Sequence, residues 1–326
     1  MRAIVISKPG GPEVLQYKEV PDVSPQRGEV RVRVRATAVN RADLIQREGK
    51  YPAPVGVPAD IPGLEYAGDV DALGDGVTDL KVGDRVFGLV GGGAYAENIV
   101  VHSRVASMMP ANLSYEEAAA FPEAFITAYD AMVSQCRLSA GESILITAAA
   151  SGVGTAAIQI AHAIGARPIG TIRTESKAAK LKELGLDDVI VNTDTTFAEA
   201  VLKATNGMGV NVVLELVGGD YVTQDLQCTA PRGRIIIVGL LAGASCKFNL
   251  GLLLSKRFEL RGTSLRARGL EEKILVAQTF SKNIVPLIES GKLKAVVDKT
   301  FSLEDAAAAH EFLAKNESFG KVVLKL

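Results

Sequence analysis

The sequence predicts an α/β protein in two parts: a doubly wound parallel sheet, and a smaller β-rich lobe folded as a partly closed barrel. Three observations predict it. The stretch Glu142 to Gly165, ESILITAAASGVGTAAIQIAHAIG, reads as strand, small-residue turn and helix. From there to Leu265, short apolar strands alternate with helical segments, the pattern of a parallel sheet. Before residue 122, short strands are separated by closely spaced turn signals, as in a barrel.

In the first part, Val30 to Arg35 alternates strictly between valine and arginine, a strand with one buried and one charged face. Turns are marked by Pro9-Gly10-Gly11-Pro12, Gly74-Asp75-Gly76 and Gly91-Gly92-Gly93. Ala38 to Arg47 predicts a short helix ending at Gly49, with Tyr51 just beyond. Lys81 to Gly88 reads as turn then strand. Ser114-Tyr115-Glu116-Glu117 has the form of a capping box opening a helix. Phe121-Pro122 interrupts that helix, and Glu123 to Met132 resumes it on the way to the central strand.

Ser143 to Thr147 is mostly β-branched and apolar, as in a strand buried on both faces. Ala148 to Gly154 carries almost no side chain, so phosphates can lie against bare backbone. Thr155 to Ile164 is helical, and its start offers free N–H groups and a favourable dipole to an anion. Against the dinucleotide pattern G-x-G-x-x-G, the three glycine places fall on Ala149, Ser151 and Gly154, with an extra Gly152. The match is degraded, and an ordinary strand-to-helix turn explains this string alone equally well. The next strands are Pro168–Ile172, Asp188–Val191, Val210–Val217, Gly233–Gly239 and Glu259–Leu265. Helices fall at Ser176–Leu184, Thr196–Thr205, Tyr221–Ala230 and Leu250–Lys256. Glu271 to Ser290 reads as one helix perturbed near Pro286. Strands at Lys294–Val297 and Val322–Leu324, with a helix at Leu303–Ala314 between them, have no neighbouring sheet partner. They are assigned back to the first lobe, which becomes discontinuous: 1–122 with 271–326, around a nucleotide-binding domain at 123–270.

At 326 residues and 48% apolar, the chain can bury a sizeable core. Its 36 Lys and Arg balance 37 Asp and Glu, so no basic excess serves nucleic acid or an anionic membrane. Cys136, Cys228 and Cys246 are scattered, which suits a reducing cytosol and an expected cytoplasmic location. The N-terminus enters a strand at Ala3 rather than a signal peptide, and no apolar run reaches the roughly 18 residues of a membrane span.

Several segments together resemble the medium-chain dehydrogenase/reductase superfamily. They are Ala38 to Leu44, Ile61 to Gly68, Val82 to Val86, Phe121 to Ala124, Ser151 to Gln159 and Gly320 to Leu324. Within it the chain is similar to the zinc-independent quinone oxidoreductases, in the branch of the tumour-suppressor-inducible quinone reductase and the zeta-crystallins. The resemblance covers essentially the whole chain. It implies a GroES-like partly open β-barrel domain plus a Rossmann domain, with the active-site cleft between them. It also implies a homodimer joined through the sixth Rossmann strand, here Phe258 to Leu265, which would cover an exposed sheet edge.

Asn40 stands where the zinc enzymes of the superfamily have their first cysteine, and Leu64-Glu65 replaces their His-Glu pair. The four-cysteine lobe is missing, and His102, His162 and His310 form no ligand cluster with the cysteines. No catalytic metal is expected, which favours reduction of an electrophilic acceptor over alcohol oxidation.

The expected cofactor is NADPH. Ala149, Ser151, Gly152, Val153 and Gly154 would line its phosphates. The second strand ends without the acidic residue usual for NAD, and Arg173, Thr174 and Lys177 could bind a 2′-phosphate. Glu175 counts against this, and the bland alternative is a set of solvated helix-start charges. By the resemblance, Lys177 matches a 2′-phosphate contact and Thr127 a nicotinamide-side contact. Gly239, Leu240 and Ser264 should approach the cofactor, while Asn192 or Thr193 replaces a tyrosine.

Asn40 and Tyr51 match residues that line the substrate cleft in the family. Asn40 can donate from its amide; Tyr51 can donate its phenol proton and stack on a flat ring. Tyr51 reads equally as loop packing. Asp43 is read as holding backbone or acting directly, and Glu123 as structural. Three functions follow from the resemblance: an NADPH-dependent quinone reductase, a reductase of activated C=C bonds such as enals and enones, or a non-catalytic, crystallin-like NADPH- or RNA-binding protein. The first is preferred; its partner is a small electrophilic acceptor, with no nucleic acid or membrane.

Overall fold

The computed structural model describes residues 1–326. It divides into two units, Met1–Ile126 with Leu265–Leu326, and Thr127–Ser264. The sequence placed the divisions near residues 122 and 270; the unit boundaries lie inside a helix and just after a strand.

The first unit opens with an antiparallel pair, β1 (Arg2–Ile6) and β2 (Leu15–Glu19). The alternating stretch is β3, which runs Glu29–Val39 and takes in Ala38 and Val39, two residues expected in the following helix. That helix, α1, is Arg41–Arg47, with Asn40 as its extended N-cap. β4 (Glu65–Leu73), β5 (Arg85–Leu89), β6 (Asn98–His102) and β7 (Ser107–Met108) follow. β3 pairs antiparallel with β4 and β6, and register shifts against β4 near Val32 and Val34 mark bulges that add twist. The close approach of these strands leaves no room beside Gly68, where a Cβ would lie 2.1 Å from the Arg33 carbonyl. Ser114 does open a short helix, α2 (Tyr115–Ala118), through a complete capping box with Glu117. α3 (Pro122–Tyr129) leads out of this unit and continues as a π-helical turn, Asp130–Gln135.

The second unit is a six-stranded, all-parallel sheet. Its elements are β8 (Ser143–Ile146), α4 (Gly152–Ala163), β9 (Arg167–Ile172), α5 (Ala178–Glu183), β10 (Asp188–Val191), α6 (Ala198–Ala204), β11 (Val210–Glu215), α7 (Tyr221–Cys228), β12 (Thr229–Ile237), α8 (Leu250–Lys256) and β13 (Glu259–Gly262). The order β10-β9-β8-β11-β12-β13 reverses between β8 and β11, the switch point of a doubly wound fold. Leu145, Ile169, Val213 and Ile235 are wholly buried between the helical layers. That is why these strands read as apolar runs rather than alternations.

The chain then completes the first unit. The single helix expected from Glu271 to Ser290 is two, α9 (Leu270–Asn283) and α10 (Val285–Glu289), because Pro286 has no N–H to continue the ladder. β14 is Val297–Ser302 rather than Lys294–Val297, and α11 is Ala306–Ala314. β15 (Lys321–Lys325) lies between β14 and β3, so the C-terminal residues do return to the first sheet. No helix is long and apolar enough to cross a membrane.

Candidate active site and cofactor site

The two candidate catalytic residues have different surroundings in the first unit. Asn40 is buried in a polar cluster. Its Nδ2 donates to Glu65 Oε1 at 2.9 Å and to the Ala38 carbonyl at 3.3 Å, and its Oδ1 accepts from Lys321 Nζ. Lys321 also donates to Glu65 Oε1 at 2.6 Å, and the Glu123 backbone N–H donates to Glu65 Oε2 at 2.8 Å. Both amide hydrogens of Asn40, expected to donate to an acceptor, are bonded within the chain here. Burial works against the Lys321 charge, but Glu65 and Glu123 outweigh it and hold its pKa above the ordinary value. The Glu123 side chain is 20% exposed and lies 3.9 Å from Lys321. Loss of hydration pushes its carboxyl up to about 7, with Lys321 opposing.

Beneath Asn40 runs a directed chain of hydrogen bonds. Arg47 Nη1 lies 3.3 Å from His310 Nδ1, and a guanidinium only donates, so Nδ1 accepts and the ring proton sits on Nε2. His310 Nε2 then donates to Tyr95 Oη at 3.2 Å, and Tyr95 donates to Asp43 Oδ2 at 3.3 Å. Asp43 accepts from the backbone N–H of Asn40 at 2.8 Å and of Gly63 at 3.1 Å. Of its two proposed roles, holding backbone is the one this geometry displays. Burial pushes Asp43 up to about 6 and pulls His310 down to about 3. Tyr95, Lys321 and the buried role of His310 were not legible, because their partners lie 52 to 281 residues away in sequence.

Tyr51 is half-buried in the segment that follows α1. The Arg266 guanidinium stacks on its ring, 4.7 Å from the centroid, and donates to its carbonyl at 3.2 Å. These contacts use the ring face and the backbone and leave the hydroxyl available.

In the second unit the candidate cofactor residues gather at the C-terminal edge of the sheet, where a parallel sheet binds ligands. Ala148 turns the chain out of β8 with φ +47°, a rare conformation for a residue with a Cβ. Ala149 is buried, and Ser151 caps α4 by accepting from the Gly154 N–H at 3.0 Å. α4 begins at Gly152, three residues before the expected start, so Gly152 and Val153 supply first-turn N–H groups without intrahelical acceptors. A Cβ on Gly154 would lie 2.6 Å from the Ala149 carbonyl, so only glycine lets the helix approach this turn.

Arg173 and Thr174 follow β9 directly and are exposed, and Lys177 closes a 3₁₀ turn, Glu175–Lys177. Thr127 is buried on α3. Gly239 and Leu240 follow β12, and Ser264 is exposed just past β13. A Cβ on Gly239 would meet the Leu216 carbonyl at 2.2 Å, so backbone packing alone accounts for this glycine. Two features add to the sequence reading, the burial of Asn192, named there only as a replacement for a tyrosine, and the carboxyl of Glu215, not singled out there. Asn192, at the tip of β10, is 3% exposed with neither side-chain N nor O hydrogen-bonded within the chain. Such an orphaned amide beside the tip of β9 fits a ligand rich in hydroxyl and amide groups, as a dinucleotide is. At the end of β11, Glu215 accepts from the Gly218 N–H at 2.6 Å, and burial raises the pKa values of both Glu215 and its neighbour Asp225. No group of three His, Cys, Asp or Glu side chains is arranged to hold a metal ion.

With this geometry in place, comparison with known proteins is specific. The family model for an alcohol dehydrogenase GroES-like domain matches residues 26–111, and that for a zinc-binding dehydrogenase matches residues 152–282. A quinone oxidoreductase of Pseudomonas aeruginosa is 37% identical over 97% of this chain and 96% of its own length. The crystal structure of Escherichia coli quinone oxidoreductase complexed with NADPH aligns over 100% of both chains at 33% identity and a TM-score of 0.89. CurK enoyl reductase aligns over 99% of this chain and 98% of its own, at 28% identity and a TM-score of 0.87. A GroES-like barrel joined to a doubly wound parallel sheet defines a medium-chain dehydrogenase/reductase. The chain belongs to the quinone oxidoreductase family of that superfamily.

Proposed function

We propose that this protein reduces quinones with NADPH and without a catalytic metal. The observation that carries the reading is the edge formed by the β8–α4 turn and the tips of β9 and β10. There, a backbone with almost no side chains, the cations Arg173 and Lys177, and the unpartnered amide of Asn192 lie on adjacent strands. The turn and the first N–H groups of α4 suit a pyrophosphate; Arg173 and Lys177 suit a 2′-phosphate. When bound, NADPH supplies the hydride. The chain's own contribution on the acceptor side is the Tyr51 phenol, which can stack on a flat ring and give a proton to an oxygen that gains charge. Asn40 has the supporting role of anchoring Glu65 and Lys321.

A steady-state assay tests this: p-benzoquinone is expected to drive NADPH oxidation at a rate proportional to enzyme, unchanged by a chelator. Tyr51→Phe should lower turnover about tenfold or more with NADPH affinity nearly intact. Wild-type turnover in that variant would remove Tyr51 from the mechanism. Reduction of activated C=C bonds is the second reading, favoured by the full-length likeness to an enoyl reductase.

The protein is further proposed to act in the cytoplasm as a homodimer. β13 is the edge of the parallel sheet, and nearby Leu250, Leu254 and Leu260 are 65%, 77% and 39% exposed. Pairing two such edges covers unpaired backbone and apolar side chains together.

A further inference from the structure

The Arg266 side chain is 6% exposed, yet every group that accepts its hydrogen bonds is neutral. Nε donates to the Gly91 carbonyl at 2.7 Å, Nη1 to the Tyr51 carbonyl at 3.2 Å and Nη2 to Gln46 Oε1 at 2.6 Å. A buried guanidinium without a carboxylate is a costly feature that folds retain when its geometry serves something else. Here that geometry converges on one residue. The same guanidinium lies over the Tyr51 ring. It therefore fixes the backbone and the aromatic plane of Tyr51 at once.

Tyr51 needs such a tether. The chain from Lys50 to Leu64 contains no helix or strand, and Val55 within it is fully exposed. Gln46 links the guanidinium to this segment a second time, because its Nε2 donates to the Ala59 carbonyl at 3.1 Å. One planar cation thus joins α1, the segment after it and the Gly91 turn.

We propose that Arg266 is the positioning residue for Tyr51, holding its phenol in the one orientation that lets it give a proton to the acceptor. The inference rests on the proposed role of Tyr51 and adds a requirement for the fork of the guanidinium, not merely its charge. Lysine keeps the charge but offers no planar set of donors able to reach Gly91, Gln46 and Tyr51 together. Misplacement of a catalytic group by about 1 Å costs on the order of 10²-fold in rate.

The test is a double-mutant cycle on quinone turnover with saturating NADPH, using R266K, Y51F and the double variant. R266K is expected to lower kcat about tenfold or more, with the Kd for NADPH within about twofold of wild type. In the Y51F background, R266K should cost less than about threefold, since the hydroxyl it orients is gone. Wild-type kcat in R266K beside an impaired Y51F would overturn this inference and leave the Tyr51 reading standing. Wild-type turnover in Y51F would overturn the Tyr51 reading itself. An equal tenfold loss in both backgrounds would show that Arg266 acts independently of Tyr51. Should R266K fail to fold, Gln46→Met removes one anchor and keeps the guanidinium. It should lower kcat in the same direction, and an unchanged kcat there would also overturn the inference.

Discussion

Asn40 has no free N–H because Glu65 and Ala38 take both, and its oxygen accepts from a lysine ammonium. At the scale of single residues, this cluster is a buried ion pair extended by an amide. Removing one partner of such a pair strands the other charge, which typically costs about 3–5 kcal/mol. Lys321→Met is therefore expected to lose stability of that order in urea unfolding, with Lys321→Met/Glu65→Gln recovering part of it. A loss below about 1 kcal/mol in the single variant would contradict the assignment. His310 makes a separate, pH-dependent prediction. Its folded pKa of about 3 lies below the 6.5 of a free imidazole, so the unfolded chain takes up a proton that the folded one refuses. Stability falls as pH drops through 6.5 toward 3, and the His310 contribution amounts to about 2 kcal/mol between pH 7 and pH 5. The raised pKa of Asp43 acts in the opposite sense over part of this range, destabilising the fold as pH rises toward 6. Comparing wild type with His310→Gln at both pH values isolates the histidine, and equal slopes would refute its neutral, buried state. The sequence exposed the residue types at 40, 43, 51 and 65 but not their distant partners, because hydrogen bonds to residues 52 to 281 positions away leave no local pattern.

At the scale of elements, the β8–α4 turn was legible because small residues and a capping serine leave a strong local mark. Gly154 is its most demanding position. Gly154→Ala places a Cβ 2.6 Å from a backbone carbonyl, so α4 must shift and take its N-terminal N–H groups with it. NADPH affinity is expected to fall about tenfold or more, as measured by calorimetric titration; unchanged affinity would place the phosphates elsewhere. At the β9 tip, Lys177→Ala should raise the KM for NADPH about tenfold or more and leave that for NADH nearly unchanged. Equal effects on both cofactors would count against a 2′-phosphate contact. The inner strands β8, β9 and β11 of the second unit could be read as apolar runs because both faces are buried. β14 could not: Asp298, Lys299 and Thr300 are exposed, and pairing with β15 rather than an apolar pattern fixes its position. β3, in the same sheet as β14, outran its valine–arginine alternation because Ala36 to Val39 is buried against β15.

At the scale of the whole molecule, two statements remain open to direct test. The exposed leucines around β13 predict a dimer, which sedimentation velocity should show for the wild type and which Leu260→Glu should weaken; a wild-type monomer would contradict it. The discontinuous organisation was legible from the orphan strands after residue 290, since an isolated strand must find a sheet elsewhere. The unread part of the molecule is its buried polar chemistry: the Lys321 cluster, the His310 chain and the Arg266 fork are each assembled from residues far apart in sequence. The most direct test of the central claim is NADPH oxidation across matched quinones, enals and enones, with and without a chelator. The reading predicts the highest kcat/KM for quinones, a preference for NADPH over NADH, and no change on chelation. A rate that requires a bound metal, or turnover of enones with none of quinones, would contradict it.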